Sequence, residues 1–577
     1  MDSKFYMSLR PKFTPVACSP SPSPHAPLSS PGATWIPLIE CPANFPAELL
    51  IHHPEYNSTL ILRSETIADV DLEQTDPSSL SSLLPSADNL TKSRCIHRKL
   101  LPRRPGRDAS LEQYCTLYKS EGSLSHNTVL ILTPIASEEG TLPYYHPRVH
   151  HIAFRFIAAI DEDDLVSHEE KNLLRIEVVP FPDTDMDPSS RLFRTSLSLL
   201  DTLHRYGWGA LTNYQKRVIH DVLIPREQYQ DLYLVMRERH KGLVDSWQEV
   251  TDPLKHVFED IGIATYLMLL WRVSYGDGSS SGEDQSDSDF ERGEESWKNW
   301  PRPPGGFLDF GCGNGLLTHI LVSEGYEGYG IDVRARLSWK SYSTETQERL
   351  LVYAFNPLHL DAQSISAHSP SPSPSLTSAE RTPLFFPPAP GTFIISNHAD
   401  ELTPWTPIIA SLYNASGFIS IPCCAWDFDG RYGRDRTRMF KVPSPASKGV
   451  DSRMDNGVDL QEQEGEMDIN TFIQSLNLGG LAPGSTSGHY PLGSMSGYAM
   501  YRVWLATLSV HTGWEVECET LRIPSTRNWA LVGRKPSPLV AHDKAMDNIR
   551  QIIRNVKERG VFRPRKPEGK AGGAGDH

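Results

Sequence analysis

Three glycines alternate across one short stretch, Gly311, Gly313 and Gly315 in FLDFGCGNGLL, between the apolar run FLDF and a second apolar run starting at Leu316. Glycine tolerates positive φ and lets a ligand approach the backbone. A strand, this turn and a helix would therefore cradle a small molecule. A dinucleotide fingerprint requires its third glycine at position 316, which is leucine here. The spacing is instead G-x-G-x-G after an acidic residue, Asp309, placed to meet an amino group or its hydration shell. Asp332 ends the next apolar run, in GYGIDVR, 23 residues after Asp309. An acid at about that distance reads the ribose hydroxyls in nucleotide-binding βαβ units.

Loop and acid together resemble the nucleoside-binding loop of class I methyltransferases, whose ligand carries a methionine and a sulfonium rather than a pyrophosphate. A glycine-rich turn without ligand and a nicotinamide or flavin site are the competing readings. Asp361, in NPLHLDA, follows a third strand; it either reaches an adenine amino group or is an ordinary loop aspartate. Asn397, His398, Asp400 and Glu401 follow the strand TFIIS, where ligands bind in open α/β sheets. Asn397 and His398 could position or deprotonate a hydroxyl, while Asp400 and Glu401 could equally cap the next helix. Cys424 follows another strand end and reads as a nucleophile or, better, as a packed thiol. Arg527, in RIPSTRN, either holds a phosphate or forms a salt bridge.

These residues need elements to hold them. The block from 301 to 540 alternates strands and helices, the pattern of a doubly wound sheet. Compositional loops interrupt it at 363–391 and 443–490. Upstream, the apolar runs of 35–182 are short and separated by turns, predicting a strand-rich domain. Residues 183–275 have helical spacing, and 276–300 is an acidic linker. A proline-rich leader, 1–34, is expected to be unstructured, and 541–577 reads as a basic helix with a flexible tail.

Composition sets outer bounds. The chain has 577 residues, a formal charge of −15, 46 prolines and eight cysteines. It has no apolar run of 18 residues or more, which predicts no spanning helix and no membrane partner. Its scattered cysteines form no CxxC pair, so no structural zinc site and no metal are predicted. An acidic, reduced, intracellular protein is the default expectation. Local charge runs against the total in KSRCIHRKLLPRRPGR (92–107), which holds seven Lys and Arg and no acid. That segment is a candidate phosphate-tracking face.

Several motifs together resemble one family. FLDFGCGNGLLTHILVSEGYEGYGIDVR, SNHADELTPW, IPCCAWDFDGRY and LRIPSTRN, with KLLPRRPGRDASLEQYC and DPLKHVFEDIGIATYLMLLW upstream, are similar to the eukaryotic tRNA (uridine-2′-O)-methyltransferases that modify uridine 44 of serine tRNA. The resemblance spans about 95–533. It implies a class I, Rossmann-like α/β methyltransferase domain behind a strand-rich domain, S-adenosyl-L-methionine as donor, serine tRNA as partner and a cytoplasmic site. Under it, Asp309, Gly311, Gly313, Gly315, Asp332 and Asp361 hold the donor, and His398, Asp400 and Arg527 are the candidates for catalysis. The lysine-based tetrad of some 2′-O-methyltransferases is not visible by motif. The chain also departs from members with a C-terminal CCCH finger, since it has no cysteine after Cys518.

Overall fold

The structure, a computed structural model, describes residues 10–19, 25–43, 46–73, 84–120, 128–136, 141–158, 172–212, 219–276, 295–360, 386–433, 438–444, 465–476, 495–563 and 565–566. The chain divides into two compact units, Met1–Gln215 and Lys216–His577.

The first unit is built on an antiparallel sheet. In chain order its strands are β1 (Val16–Ala17), β4 (Ile36–Pro42), β5 (Ile61–Asp71), β6 (Leu90–Pro102), β7 (Leu111–Ser120), β8 (Thr128–Ile135), β9 (Val149–Ile157) and β10 (Leu173–Pro180). They lie in the order β1-β4-β10-β9-β8-β7-β6-β5. A two-residue ribbon, β2 (Ser29–Ser30) with β3 (Ala33–Thr34), stands apart from it. From β5 to β10, neighbours in sequence are neighbours in the sheet. The short turn-bounded runs of the sequence become a meander, with buried and half-buried residues alternating along β7. Helix α1 (Ala47–His52) and the 21-residue α2 (Arg191–Leu211) belong to this unit. Ser190 caps α2 by accepting the Phe193 N–H at 3.2 Å. Leu192, Leu200 and Leu203 of α2 share a core with Leu174, Ile176 and Phe154 of the sheet.

Three expectations are corrected here. Part of the proline-rich leader is structured: Val16 and Ala17 pair with Glu40 and Ile39, Cys18 and Leu28 are buried, and the Leu28 N–H donates to buried Glu177 at 2.7 Å. Arg175, fully buried and ion-paired with Glu40 at 2.8 Å, donates to the His25 carbonyl at 3.0 Å. These few contacts satisfy buried polar groups, which composition does not register. The helical stretch 183–275 is not one segment, because α2 packs in the first unit while the helices after it pack in the second. The basic run 92–107 is mostly strand β6, so its charges alternate in direction. Arg98 is buried, Arg94 pairs with Asp69 and Glu48, and Arg103, Arg104 and Arg107 stay exposed.

The second unit is doubly wound. Its sheet orders β13 (Leu350–Val352), β12 (Gly328–Asp332), β11 (Phe307–Phe310), β14 (Phe393–Asn397), β15 (Gly417–Ile421), β17 (Trp529–Pro536) and β16 (Trp514–Thr520). The first five strands run parallel, β17 is antiparallel to β15, and β16 is antiparallel to β17, so β17 alone runs against the rest. Alternation along the strands feeds two cores. Leu308, Phe310, Ile394 and Phe418 meet α7 (Thr406–Leu412), α9 (Gly497–His511) and α10 (His542–Arg559) on one face. Phe307, Phe393, Ile395 and Ile419 meet α3 (Arg226–His240), α4 (Pro253–Tyr275) and α5 (Leu316–Ser323) on the other. Helix α4 is capped by Asp252, which accepts the Leu254 N–H at 3.0 Å, has Pro253 at its first position and is buried nearly all round. A short α6 (Thr344–Glu348) precedes β13.

The expected loop 443–490 needs a further correction. Its described part contains helix α8 (Ile469–Ser475), capped by Asp468, with Phe472, Ile473 and Leu476 in the core. Three apolar residues in a polar stretch suffice to anchor a helix turn. Phe386, within the other expected loop, is also buried. Among the described residues no helix is long and apolar enough to cross a membrane.

Candidate active site

Strand order reverses between β11 and β14: β12 and β13 lie to one side of β11, and β14 and β15 to the other. Ligands of open α/β sheets bind beyond the carboxyl ends of strands at such a switch point. Here those ends carry the glycine turn, after β11, and Asn397–Asp400, after β14.

All three glycines of the turn have positive φ: 87° at Gly311, 54° at Gly313 and 74° at Gly315. Two are needed for packing as well. A Cβ on Gly311 would lie 3.2 Å from the Ala399 methyl, so this glycine lets the β11 and β14 loops approach. A Cβ on Gly315 would strike Leu350 at 2.8 Å. Gly313 is different: nothing lies within 4 Å of where its Cβ would be. The turn is held by Asp332, whose Oδ2 accepts the Gly313 N–H at 3.0 Å and whose Oδ1 accepts the Arg334 N–H at 3.2 Å. The Trp339 indole donates to the Gly313 carbonyl at 2.9 Å, and the Tyr342 hydroxyl to the Asn314 carbonyl at 3.1 Å.

Asp309 lies behind this turn, 2% exposed, its Oδ2 accepting the Thr318 hydroxyl at 2.8 Å. Burial and, more weakly, the Asp332 charge push its carboxyl up to about 7. Asp332 is also raised by burial, and Asp260 of α4 well raised by burial and by Glu259 and Asp309. None of these three carboxylates is ion-paired with a lysine or arginine among the described residues. Arg336 and Arg334 act on Asp332 through their charge but do not outweigh its burial.

Beyond β14, His398 and Asp400 both have left-handed backbone, φ 53° and 47°. His and Asp enter that region more readily than most residues, and such strain concentrates at functional turns. His398 Nε2 lies 3.2 Å from Glu259 Oε1 of α4, and Asn397 Nδ2 lies 3.4 Å from Asp260 Oδ1. Burial alone would raise the Glu259 carboxyl; the proximity of His398, helped by Ser525 and Lys255, outweighs it and holds Glu259 below the usual range. Ser525 also accepts the Arg527 N–H at 3.3 Å. The Arg527 guanidinium sits 3.9 Å over the Tyr498 ring, and the Tyr498 hydroxyl donates to the Pro422 carbonyl at 2.6 Å. His398, Asp400 and the Arg527 loop are thereby gathered at one end of the sheet through Glu259, Ser525, Tyr498 and the end of β15. Neither Glu259 nor Asp260 stood out in the sequence. Their signal was present all the same: two adjacent acids in the middle of an otherwise apolar helix.

The remaining candidates divide. Asp361 lies outside the described residues. Glu401 is paired with Arg565 at 2.7 Å. Cys423 Sγ lies 3.6 Å from Asp400 Oδ1, and with Cys424 these ligand atoms fall within 4.8 Å of one another, close enough to share a soft cation. Burial and Asp400 push the Cys423 thiol up, which keeps it protonated and disfavours nucleophilic use.

Comparison with known proteins adds sequence evidence to this geometry. Residues 13–217 match the model described as "TRM44-like, N-terminal bet v1-like domain", and 223–289 with 295–357 match "Predicted AdoMet-dependent methyltransferase". The chain is 32% identical over 548 residues to the tRNA (uracil-O(2)-)-methyltransferase of Schizosaccharomyces pombe, covering 92% of this chain and 91% of that one. It is 32% identical over 554 residues to the protein of the same name from Neurospora crassa, covering 91% and 92%. This chain belongs to the tRNA (uracil-O(2)-)-methyltransferase family. No solved structure matches it.

Family membership makes the second unit an S-adenosyl-L-methionine-dependent methyltransferase domain and the first a bet v1-like domain. The match starting at residue 223 places α3 and α4 in the methyltransferase domain, as their shared core with β11 does. The residues present fit the donor. Gly313 leaves an open approach to the backbone, and Asp260, Asp309 and Asp332 form an acidic surround without paired cations, suited to a ligand bearing ammonium and sulfonium charges.

Proposed function

We propose that this enzyme methylates the ribose 2′-hydroxyl of uridine 44 in serine tRNA, and that it does so in the cytoplasm. What supports the reading is the juxtaposition at the switch point: the glycine turn on β11 and His398 on β14 are adjacent strand ends, one suited to hold a donor and the other to meet a hydroxyl. When bound, the donor supplies an activated methyl group, so the site needs only to align the acceptor and take its proton.

In this reading the Gly311–Gly315 backbone and Asp332 seat the nucleoside, Asp332 through the lone pairs not used by Gly313 and Arg334. Asp309 complements the positive charge, and Asp361 contacts the adenine. Nε2 of His398 faces Glu259 at 3.2 Å, leaving Nδ1 as the acceptor for the 2′-hydroxyl proton. As the oxygen–methyl bond forms and the methyl–sulfur bond breaks, that proton passes to Nδ1 and S-adenosylhomocysteine leaves. Glu259 stabilises the resulting imidazolium. Arg527 holds a substrate phosphate, and Asp400 fixes the strained turn that aims His398. Arg103, Arg104 and Arg107 contribute to holding tRNA.

The deciding experiment is methyl incorporation from labelled donor into total RNA of a strain lacking the gene, mapped to the nucleotide. Label at the 2′-oxygen of uridine 44 in serine tRNA alone is the expected result. Label on another nucleotide, or on the base, would overturn the assignment while leaving the methyltransferase fold intact.

A further inference from the structure

The geometry points to a binding site for a thiophilic divalent cation of the zinc class at the carboxyl ends of β14 and β15, held by Asp400, Cys423 and Cys424. Their ligand atoms, one carboxylate oxygen and two sulfurs, lie within 4.8 Å of one another, and among the described residues no other three His, Cys, Asp or Glu side chains converge so closely. A tetrahedral zinc, bonded to sulfur at about 2.3 Å and to oxygen at about 2.1 Å, holds a sulfur and an oxygen about 3.6 Å apart. Cys423 Sγ is 3.6 Å from Asp400 Oδ1. This pair already stands at the separation such a cation requires.

Two loops bring the ligands together. Asp400 follows β14 on a left-handed backbone. The cysteines follow β15 after Pro422, where the chain bends, and the bend lets both sulfurs approach Asp400; in an extended strand, adjacent side chains would point to opposite faces. Asp400 is ion-paired with no lysine or arginine among the described residues, while its neighbour Glu401 takes Arg565. The group that donates to Asp400 is the Cys423 thiol, a weak donor for a carboxylate. The other six cysteines are buried, whereas Cys423 and Cys424 are half-buried and open to a solvent ion. The sequence showed no CxxC pair because two of the ligands are adjacent and the third lies 23 positions upstream.

The donor set fixes the class of ion. Two thiolates with one carboxylate select zinc over magnesium or calcium, which take oxygen ligands. Three protein ligands leave the fourth position to water, as in open zinc sites. On binding, the sulfur–hydrogen bonds break, sulfur–metal bonds form and the protons pass to solvent, with nothing oxidised or reduced. The cation ties the loop that carries His398 to the end of β15.

The test uses the full chain, reduced with a phosphine and stripped by a chelator, with cobalt(II) as the spectroscopic probe and zinc as the competitor. One equivalent of cobalt should bind and give thiolate-to-cobalt charge-transfer absorption in the near ultraviolet, which zinc removes. Zinc should raise the calorimetric transition that S-adenosylhomocysteine also raises. It should also shield Cys423 and Cys424 from a maleimide, read by peptide mass, a result that needs no variant. Losing a ligand should cost at least what losing a ligand's hydrogen-bond partner costs, about tenfold in affinity or more. Cys424→Ser should show this loss with a weaker charge-transfer band. Asp400→Asn, which keeps a residue tolerant of left-handed backbone, should show it with the band retained. Both variants should keep the parent's far-ultraviolet circular dichroism. None of these readouts needs tRNA, so their failure is distinct from failure of the 2′-O-methylation reading. No stoichiometric cobalt binding, a cobalt spectrum without thiolate charge transfer, equal labelling of the two cysteines with and without zinc, or an Asp400→Asn chain that binds cobalt as the parent does would each overturn the proposal.

Discussion

Replacing Asp309 by asparagine should stabilise the methyltransferase domain and weaken its hold on the donor. The carboxyl is 2% exposed and pushed from 3.8 to about 7 by burial, with the Asp332 charge adding to the effect. Between about pH 4 and 7 the folded state therefore binds more protons at this position than the unfolded chain. The sign follows: this group's contribution to stability falls as pH rises through that window, because folding must then displace the charge or carry a proton. Roughly three units at about 1.36 kcal/mol each set a ceiling of about 4 kcal/mol on the loss. Asparagine has no charge to bury at any pH. The difference in unfolding free energy, variant minus parent, should be smallest near pH 4 and climb by about 2–4 kcal/mol by pH 8. It should be read on the calorimetric transition that S-adenosylhomocysteine raises, since two units need not unfold together. Donor binding has the opposite linkage. Ammonium and sulfonium charges favour the ionised carboxylate, so at pH 6 the parent should release close to one proton on binding S-adenosylmethionine. Titration calorimetry in buffers of different ionisation enthalpy measures this, and the variant should release less and bind more weakly. A stability difference that does not change between pH 4 and 8, or equal proton release by the two proteins, would refute both the buried-acid assignment and its link to the donor.

Other perturbations separate the remaining roles. Gly313→Arg places a side chain in open space at a cost of about 1–2 kcal/mol for the left-handed backbone, so the protein should fold but lose S-adenosylhomocysteine binding by calorimetry. His398→Ala should lower kcat by about 10² to 10⁴-fold with donor affinity retained; Glu259→Gln should lower it less and change the pH–rate profile, whereas a merely structural Glu259 would leave the profile's shape alone. Phe472→Ala should cost about 3–5 kcal/mol by chemical denaturation, as for a core aromatic, which a solvated loop would not show. Changing Arg103, Arg104 and Arg107 together to alanine should reduce the salt dependence of tRNA retention on filters by a slope of about 0.7–0.9 per lost phosphate contact, leaving donor affinity unchanged; parallel salt plots would remove these arginines from the tRNA footprint.

What the sequence made legible was whatever has a local rule. The G-x-G-x-G turn is short-range backbone chemistry, and positive φ at Gly311, Gly313 and Gly315 follows from spacing alone. Strand alternation and the α/β rhythm are similarly local, so the doubly wound sheet and the strand-rich unit before it were both readable. What stayed hidden depends on partners distant in sequence. Glu259 meets His398 from 139 positions away only because α4 packs beside β14. Nothing within α4 announces this beyond the oddity of acids in an apolar helix, an oddity with the physical meaning that a buried acid needs a partner or a proton. Glu259 takes the first route, depressed by His398, and Asp260 the second, raised by burial beside Glu259 and Asp309. Composition misled wherever a few residues outweigh their neighbours. The polar stretch around α8 is anchored by Phe472, Ile473 and Leu476, and the proline-rich leader by bonds to Arg175 and Glu177. The basic run around Arg98 misled for a different reason. Read as a string it is a patch of charge; folded, the strand sends Arg98 inward and Arg94 to acidic partners, and the turn after it leaves Arg103, Arg104 and Arg107 exposed. An average over a window cannot separate these cases, because burial is decided residue by residue, by which face of an element each side chain occupies.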